Sequence, residues 1–537
     1  MKRFSGKKFL KTIIAICTAI LSGFLLSASF PLSSHSYLAW ISLVPFFLIL
    51  LMVKPVYGCL LSLVFGLFYL PGVFNWMLEV PGYTLFHHYL LGIYFVPYSL
   101  AFGSLFILTA TRLGASRALL AAPFFWVSIE FLRANMFFLA LPWGLLAHSQ
   151  YSHPAIIQIS SFTSAYGLSF LIVLVNSSIA AAFLPLAGMH KKSRTHFPTT
   201  LLNRQALVLM GSTSVAIILA LFYGHIKLST PIEGEKIIVS VVQPNIEQKK
   251  KWDPKFGKFI MNTLSELSIR ASKDKPQLIV WPETATPRAI TESYGLIKQV
   301  QQIAKLTEAA ILLGSSERQK HQVKTPSDKK YMNSAFLVPP GPVKKKIQRY
   351  DKIRLLPFAE YLPYKEKIPW SYARIPDIRG YVPGENFTVF KLTNFAFSAT
   401  ICWENIYPEL VRSFIKNGAQ FIVNITNEAW FGKSAALNQF LSMSVFRAVE
   451  NGVSVVRCGN TGISCLIDPC GRIVKRLIDD HGQEKLISGF LTGAVNLPTA
   501  KTVYTKYGDI FVYLTLIISV SILGLVFLKD IFRISEK

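Results

Sequence analysis

The sequence predicts a membrane-embedded bundle of about eight helices joined to an α/β layered globular domain, and three observations carry that prediction. Of 537 residues, 51% are hydrophobic and 13% aromatic while only 16% are charged, a membrane composition. The apolar residues gather in eight runs, each near the ~20 residues a helix needs to cross a hydrocarbon core. Between the seventh and eighth runs the composition is that of a soluble protein, with strand-like and helix-like patterns in alternation.

The early runs are residues 9–29, 37–53, 56–78, 89–113, 118–140, 165–188 and 206–226, and the last is 509–528. They imply three parts: an N-terminal transmembrane domain of seven helices (1–228), a globular domain (236–498), and a C-terminal helix with a tail (507–537). Lys2, Arg3, Lys7, Lys8 and Lys11 precede the first run, and the loops at Lys54, 112–117 and 191–204 are basic, whereas 31–36 and 79–88 hold no Lys or Arg. The positive-inside rule then places both termini in the cytoplasm and the globular domain on the opposite face. That pattern works with the first run retained as a helix rather than cleaved as a signal peptide.

One predicted helix carries intramembrane charge. Glu130 and Arg133 stand at i and i+3, so they can pair on one face, in either a structural or a functional role. After Leu141-Pro-Trp-Gly144, the chain to Ser164 reads as a loop on the membrane surface.

A net charge of +27 raises the question of nucleic acid. The basic residues are dispersed and no nucleic-acid fold signature accompanies them. Beside a bilayer they attract anionic head groups instead. Cys402, Cys458, Cys465 and Cys470 form no Cys-x-x-Cys pair, so no metal site is expected. The last three lie in apolar strand-like runs and read as buried thiols rather than a disulfide.

In the globular part, strands are expected at 236–243, 277–281, 310–317, 332–338, 347–356, 397–402, 419–427, 454–466 and 472–477, with helices at 253–272 and 296–307. A polar insert at 318–330 reads as a solvated loop. Three strand ends deliver chemistry. Residues 397–402 end in a cysteine with Glu404 two places on, Trp281-Pro-Glu283 ends the second strand, and Tyr350-Asp-Lys352 ends a hairpin. A thiol suits a reaction in which an acyl group is taken and held, because its thioester stays reactive toward amines. Glu283 can then serve as base and Lys352 as oxyanion stabiliser.

Trp281-Pro-Glu283, Tyr350-Asp-Lys352 with Leu356-Pro-Phe-Ala-Glu360, and Ile401-Cys402-Trp403-Glu404 resemble, in that order, the Glu-Lys-Cys triad motifs of the nitrilase, or carbon–nitrogen hydrolase, superfamily. With eight apolar runs around it, the whole resembles the bacterial apolipoprotein N-acyltransferases. Gln243-Pro-Asn-Ile with Trp252, Asn333-Ser, Asn427-Glu-Ala-Trp-Phe-Gly432, Arg447-Ala-Val-Glu-Asn-Gly and Arg457-Cys-Gly-Asn-Thr-Gly462 are further matches. Trp403, Glu428 and Gln439 stand where members often have Tyr, Asp and His. The resemblance implies a nitrilase-like αββα sandwich and ping-pong acyl transfer from a phospholipid to the amine of a diacylglyceryl-cysteine apolipoprotein. It further implies an inner-membrane location with the catalytic domain periplasmic, and no cofactor. Glu283, Lys352 and Cys402 are then the triad, with Glu360, Glu404, Trp252, Asn333 and Trp403 in support.

Segment 361–387 mixes Tyr364, Trp370, Tyr372 and Tyr381 with Lys365, Lys367, Arg374 and Arg379, a composition suited to a membrane–water interface. It is expected to be a lipid-access loop covering the site, through Tyr364, Trp370 and Tyr372. Two alternatives stay open: a membrane-tethered amidase that gives the acyl group to water, and a transporter or lipid-binding scaffold. Against the scaffold, ionisable residues inside the apolar runs are few and no broken-helix pair recurs.

Overall fold

A computed structural model describes residues 6–31, 35–184, 204–319, 330–341, 347–375, 378 and 380–535. The chain forms two compact units, residues 1–78, 82–229 and 509–537 in one and residues 79–81 and 230–508 in the other. Loop 191–204 falls outside the described residues apart from Arg204, as do Arg379 and most of the 318–330 insert.

The first unit is helical: α1 (Gly6–Ala28), α2 (Leu43–Met52), α3 (Pro55–Val73), α4 (Leu85–Leu113), α5 (Ala115–Asn135), the short α6 (Pro154–Ile157), α7 (Ser160–Phe183), α8 (Arg204–Ser229), and later in sequence α15 (Ile510–Ser535). Among the described residues, seven helices are long and apolar enough to cross a membrane. The second apolar run differs from expectation. It is a 3-10 turn, Ser36–Trp40, followed by α2 of 10 residues, about 15 Å at 1.5 Å per residue and half a hydrocarbon core. The break is held from across the bundle, because buried Asn176 of α7 donates to Ala39 O and accepts from Leu43 N, each at 2.9 Å. A side chain thus takes the place of the missing helical turn.

Aromatic stacking fills this bundle, as in Phe46 on Phe65 with ring centroids 4.2 Å apart and Phe47 on Phe106 at 5.3 Å. Helices α3 and α4 approach through small residues. A Cβ on Gly103 would fall 1.8 Å from Ser62 Oγ, the close contact that lets membrane helices gain dispersion energy.

Segment 141–164 is not a surface loop. Leu145 and Leu146 are fully buried. Arg133 donates to Leu141 O (3.0 Å), Trp143 O (2.7 Å) and Gly144 O (3.2 Å), and Glu130 accepts from Leu146 N (2.8 Å) and Trp126 Nε1 (3.0 Å). The two charges therefore act as staples for irregular backbone, which needs such partners where water is excluded.

The second unit is built on two six-stranded sheets. Its strands are β1 (Glu235–Gln243), β2 (Leu278–Val280), β3 (Ala310–Arg318), β4 (Tyr331–Val338), β5 (Gln348–Asp351), β6 (Phe390–Lys391), β7 (Ala396–Ile401), β8 (Phe421–Thr426), β9 (Val455–Gly459), β10 (Cys465–Ile467), β11 (Ile473–Arg476) and β12 (Gly489–Leu497). One sheet has the order β12-β1-β2-β3-β4-β5 and the other β11-β10-β9-β8-β7-β6. Both have a parallel centre, β1-β2-β3 and β7-β8-β9, and antiparallel flanks. The hairpin strand expected to reach residue 356 stops at Asp351, and β12 was not expected. It pairs with β1 over nine residues from the far end of the domain, a non-local match invisible to local pattern.

Helices α9 (Gln248–Lys251), α10 (Gly257–Ala271), α11 (Tyr294–Thr307), α12 (Pro408–Lys416), α13 (Ala436–Asn451) and α14 (Val503–Tyr507) complete the unit. On α10, Ile260, Met261, Leu264, Leu267, Ser268 and Ala271 are buried, the helical spacing of one core-facing stripe. Ile260, Met261, Leu264 and Leu267 share one core cluster with Val300 and Ile303 of α11 and Val242, Ile279 and Ile311 of the first sheet. The sheets meet face to face: the Cys458 thiol of β9 donates to Val242 O (3.4 Å) and Val280 O (3.3 Å). All six cysteines are free.

Candidate active site

Parallel strands offer their carboxyl ends as a common edge, and ligand sites of layered α/β domains form there. Glu283 follows β2, Lys352 follows β5, Cys402 follows β7 and Asn427 follows β8. The first three are the residues that the sequence singles out.

Cys402 sits where β7 gives way to a 3-10 turn, at φ +55°. A β-branched or bulky side chain rarely holds that conformation, and here the surroundings enforce it. Asn424 Nδ2 donates to Cys402 O (3.1 Å) and Thr400 Oγ1 (3.1 Å), and Arg457 donates to Asn424 Oδ1 (2.8 Å). Arg457 is in turn paired with Glu428, both fully buried. Burial pushes the Cys402 thiol up, Glu283 pushes it further, and Lys352 pulls it down. The resting form is therefore the thiol, and attack requires a base.

Glu283 stands beside Lys352 in this cluster. Its Oε1 accepts from Asn333 Nδ2 (2.7 Å) and lies 3.9 Å from Lys352 Nζ, while Oε2 accepts from Asn427 N (2.7 Å). Its backbone turn needs Gly314 of β3 alongside. A Cβ there would stand 2.7 Å from Glu283 Cα and 2.6 Å from Thr284 N.

Lys352 is buried and donates to Glu360 Oε1 at 2.9 Å. Burial opposes its charge, but the Glu360 and Glu283 carboxylates outweigh that and hold the ammonium above the ordinary lysine range. It is thus a fixed positive charge, suited to an oxyanion. Glu360 also accepts from Asn333 Nδ2 (3.1 Å) and from Leu356 N (2.7 Å), so one asparagine holds both carboxylates.

Glu404 is fully buried and accepts four bonds: from Tyr350 hydroxyl (2.7 Å), Ile353 N (2.7 Å), Arg354 N (3.0 Å) and Ile401 N (2.8 Å). Burial raises its carboxyl, with Lys352 pulling it down. It ties the chain after Lys352 to the strand that carries Cys402. Trp403 is buried and donates to Arg354 O (2.6 Å), fastening the same two segments.

The other expected residues divide. Asn333 lies at the centre of the cluster. Trp252 closes α9 and is half exposed. Tyr364 and Tyr372 are exposed, the latter at 85%, whereas Trp370 donates to Pro363 O (2.6 Å) and packs edge-on against Phe358 at 4.9 Å. Of the three aromatics, Trp370 thus builds the loop and the two tyrosines are presented outward.

Sequence reasoning gave no role to Asn427, Gln248 or Lys251. Asn427 Nδ2 donates to Gln248 Oε1 (2.9 Å), Asn460 Nδ2 donates to Asn427 Oδ1 (2.9 Å), and Lys251 Nζ donates to Glu283 O (2.8 Å). Asn427 was within reach of the strand-end rule that found the other three. Lys251 was not, since it closes a run of three lysines that reads as solvated.

Residues 238–502 match the carbon-nitrogen hydrolase family model and residues 22–178 match the apolipoprotein N-acyltransferase N-terminal domain. The chain is 33% identical over 514 residues to an apolipoprotein N-acyltransferase of Geobacter metallireducens, covering 92% of each. It is 28% identical to apolipoprotein N-acyltransferase 1 of Treponema denticola, over 98% of this chain and 99% of that protein. An amidase from Nesterenkonia sp. AN1 superposes over 50% of this chain and 96% of its own, with TM-score 0.36 and 19% identity.

Proposed function

Since the chain belongs to the apolipoprotein N-acyltransferase family, we propose that it moves a fatty acyl group from a phospholipid to the α-amine of the lipidated N-terminal cysteine of apolipoproteins. The observation that carries this reading is the convergence of Glu283, Lys352 and Cys402 at strand ends in a chain whose described residues include seven apolar helices long enough to cross a membrane. No cofactor enters, because the thioester itself carries the acyl group.

In the first half-reaction Glu283 takes the thiol proton as Cys402 sulfur attacks the ester carbonyl. The oxyanion forms beside the Lys352 ammonium. Collapse breaks the ester C–O bond, Glu283 returns its proton to the departing alkoxide, and a lysophospholipid leaves. In the second the acceptor amine attacks the thioester, and sulfur leaves as the thiol. Glu360 and Asn333 keep Lys352 and Glu283 in register throughout.

The catalytic domain then faces the periplasm. Basic residues at Lys54 and 112–117 bracket the α3–α4 hairpin, whose intervening loop has neither Lys nor Arg, which supports this orientation; keeping the basic N-terminus cytoplasmic as well requires the stretch through α2 to cross. A reporter after Ile226 that registered in the cytoplasm would overturn it.

Incubating pure enzyme with phospholipid and a diacylglyceryl-cysteine peptide should yield N-acyl peptide and one lysophospholipid per turnover. Free fatty acid as the only acyl product would mean an amidase-like hydrolase instead. Loop 361–375 is the entrance for lipid in this reading, with Tyr364 and Tyr372 at head-group level. Tyr372→Ser should slow acylation from phospholipid vesicles about tenfold while leaving acylation by a soluble activated ester within about twofold, on the order of an interfacial aromatic contact. Equal losses with both donors would exclude the entrance role.

A further inference from the structure

Two buried lysines flank Glu283, and their surroundings are opposite. Lys352 has Glu360 at 2.9 Å and Glu283 at 3.9 Å. Lys251 is as deeply buried, yet its hydrogen bond goes to a neutral acceptor, the Glu283 carbonyl at 2.8 Å. Among the described residues no carboxylate lies within 4.0 Å of its nitrogen. A buried lysine with a carboxylate stays an ammonium, whereas one without a carboxylate is driven toward the neutral amine, which has a lone pair to offer. Helix α9 turns it inward: Gln248 and Lys251, three apart on one face, both reach the Glu283–Asn427 cluster, while Lys250 pairs outward with Glu247. The ionisable groups acting on Lys251 from neighbouring elements are Glu283 and Cys402. Burial lowers its pKa to about 7 against their opposing pull.

The proposed reaction has a matching need. Acylation conserves protons, since Glu283 takes one from the thiol and returns it to the alkoxide. Transfer does not. An α-amine of pKa about 7.7–8.0 arrives mainly as an ammonium at pH 7, must lose one proton to attack, and loses another once the C–N bond has formed. Glu283 can pass only the second of these, to the departing sulfur.

Resting on the acyltransferase reading, we propose that Lys251 is the second base of this site, accepting the surplus proton of the acceptor ammonium. The ammonium gives a proton to the Lys251 Nζ lone pair, directly or through one water. The freed amine attacks the thioester carbon, and the oxyanion is met by Lys352. Nitrogen passes its next proton to Glu283, the C–S bond breaks with its electrons going to sulfur, and Glu283 reprotonates the thiolate. Lys251 ends as an ammonium and gives its proton to water when the product leaves. One amide forms, one thioester is consumed and one proton is released.

The test separates the half-reactions. Full-length enzyme in vesicles is acylated by phospholipid, and single-turnover transfer is followed from pH 6 to 9.5 with a diacylglyceryl-cysteine peptide or with hydroxylamine, which is already neutral at pH 7. With Lys251→Met, peptide transfer at pH 6.5 should fall by up to about 20-fold, because an α-amine of pKa about 7.8 is only about one part in twenty neutral there, and recover as pH rises past the acceptor's own pKa. Hydroxylamine transfer should fall far less. Lys251→Arg keeps a donor to Glu283 O but cannot become neutral, and should show the same acceptor-dependent defect. Rescue by arginine, equal loss with both acceptors, or loss of acylation in both variants would each overturn the proposal and leave Lys251 a structural support. Wild-type enzyme that transfers to neither acceptor would instead refute the acyltransferase reading.

Discussion

Cys402→Ala is expected to form no acyl-enzyme and no N-acyl product, a loss on the order of 10⁶-fold by the behaviour of other nucleophile–base units. The physical reason is that no neighbour can substitute. The three other buried thiols of the domain lie elsewhere: Cys458 donates to strand carbonyls and Cys465 lies inside β10, burial raising both, and Cys470 is buried in the turn between β10 and β11. The fold should survive, because φ +55° at position 402 is imposed by Asn424 and Arg457 rather than by the thiol. Intact-mass analysis after incubation with phospholipid reads the outcome. An acyl adduct on the alanine variant would move the nucleophile to another cysteine and undo the assignment.

Glu283→Gln carries the second-largest effect, because the amide can keep the shape of the site while losing the base. Its oxygen can still accept from Asn427 N or Asn333 Nδ2, so a loss of turnover, about 10³- to 10⁴-fold at the upper end for a general base, reports chemistry rather than collapse. A second readout runs in the opposite direction. The Glu283 carboxylate is one of the groups that hold the Cys402 thiol up. Removing its charge lowers the thiol pKa, so alkylation of Cys402 should set in at lower pH in a variant that barely turns over. An alkylation profile that did not move, with turnover retained, would place the base elsewhere.

Much of the site was legible because strand ends are local. A β-branched run that stops close to Glu or Cys announces both the strand and the group at its edge, as β2 and β7 do, whereas β5, Gln348–Asp351, has no β-branched residue and the expected strand overran Lys352 to residue 356. The carboxylates were legible as members but not in their roles. Glu404 read as a group near enough to tune the cysteine, whereas it accepts four hydrogen bonds and clamps the Lys352 loop to β7. Those four donors come from residues 350–354 and 401, which only the pairing of sheets brings together. Trp370 likewise read as an interfacial aromatic, and a single bond to Pro363 O turned it inward.

Composition and pattern by themselves determined the apolar runs, the α/β alternation and the order Glu, Lys, Cys, because burial free energy follows hydrophobic periodicity and each of these three side chains follows a strand of its own. Tertiary structure alone decided which of Lys249, Lys250 and Lys251 faces the site and that α2 stops short beside Asn176. It also decided that Lys352 meets a carboxylate while Lys251 meets a carbonyl. The charge of a buried amine is set by whatever lies within a few ångströms of its nitrogen, and those partners come from residues 283 and 360 rather than from its neighbours in the chain.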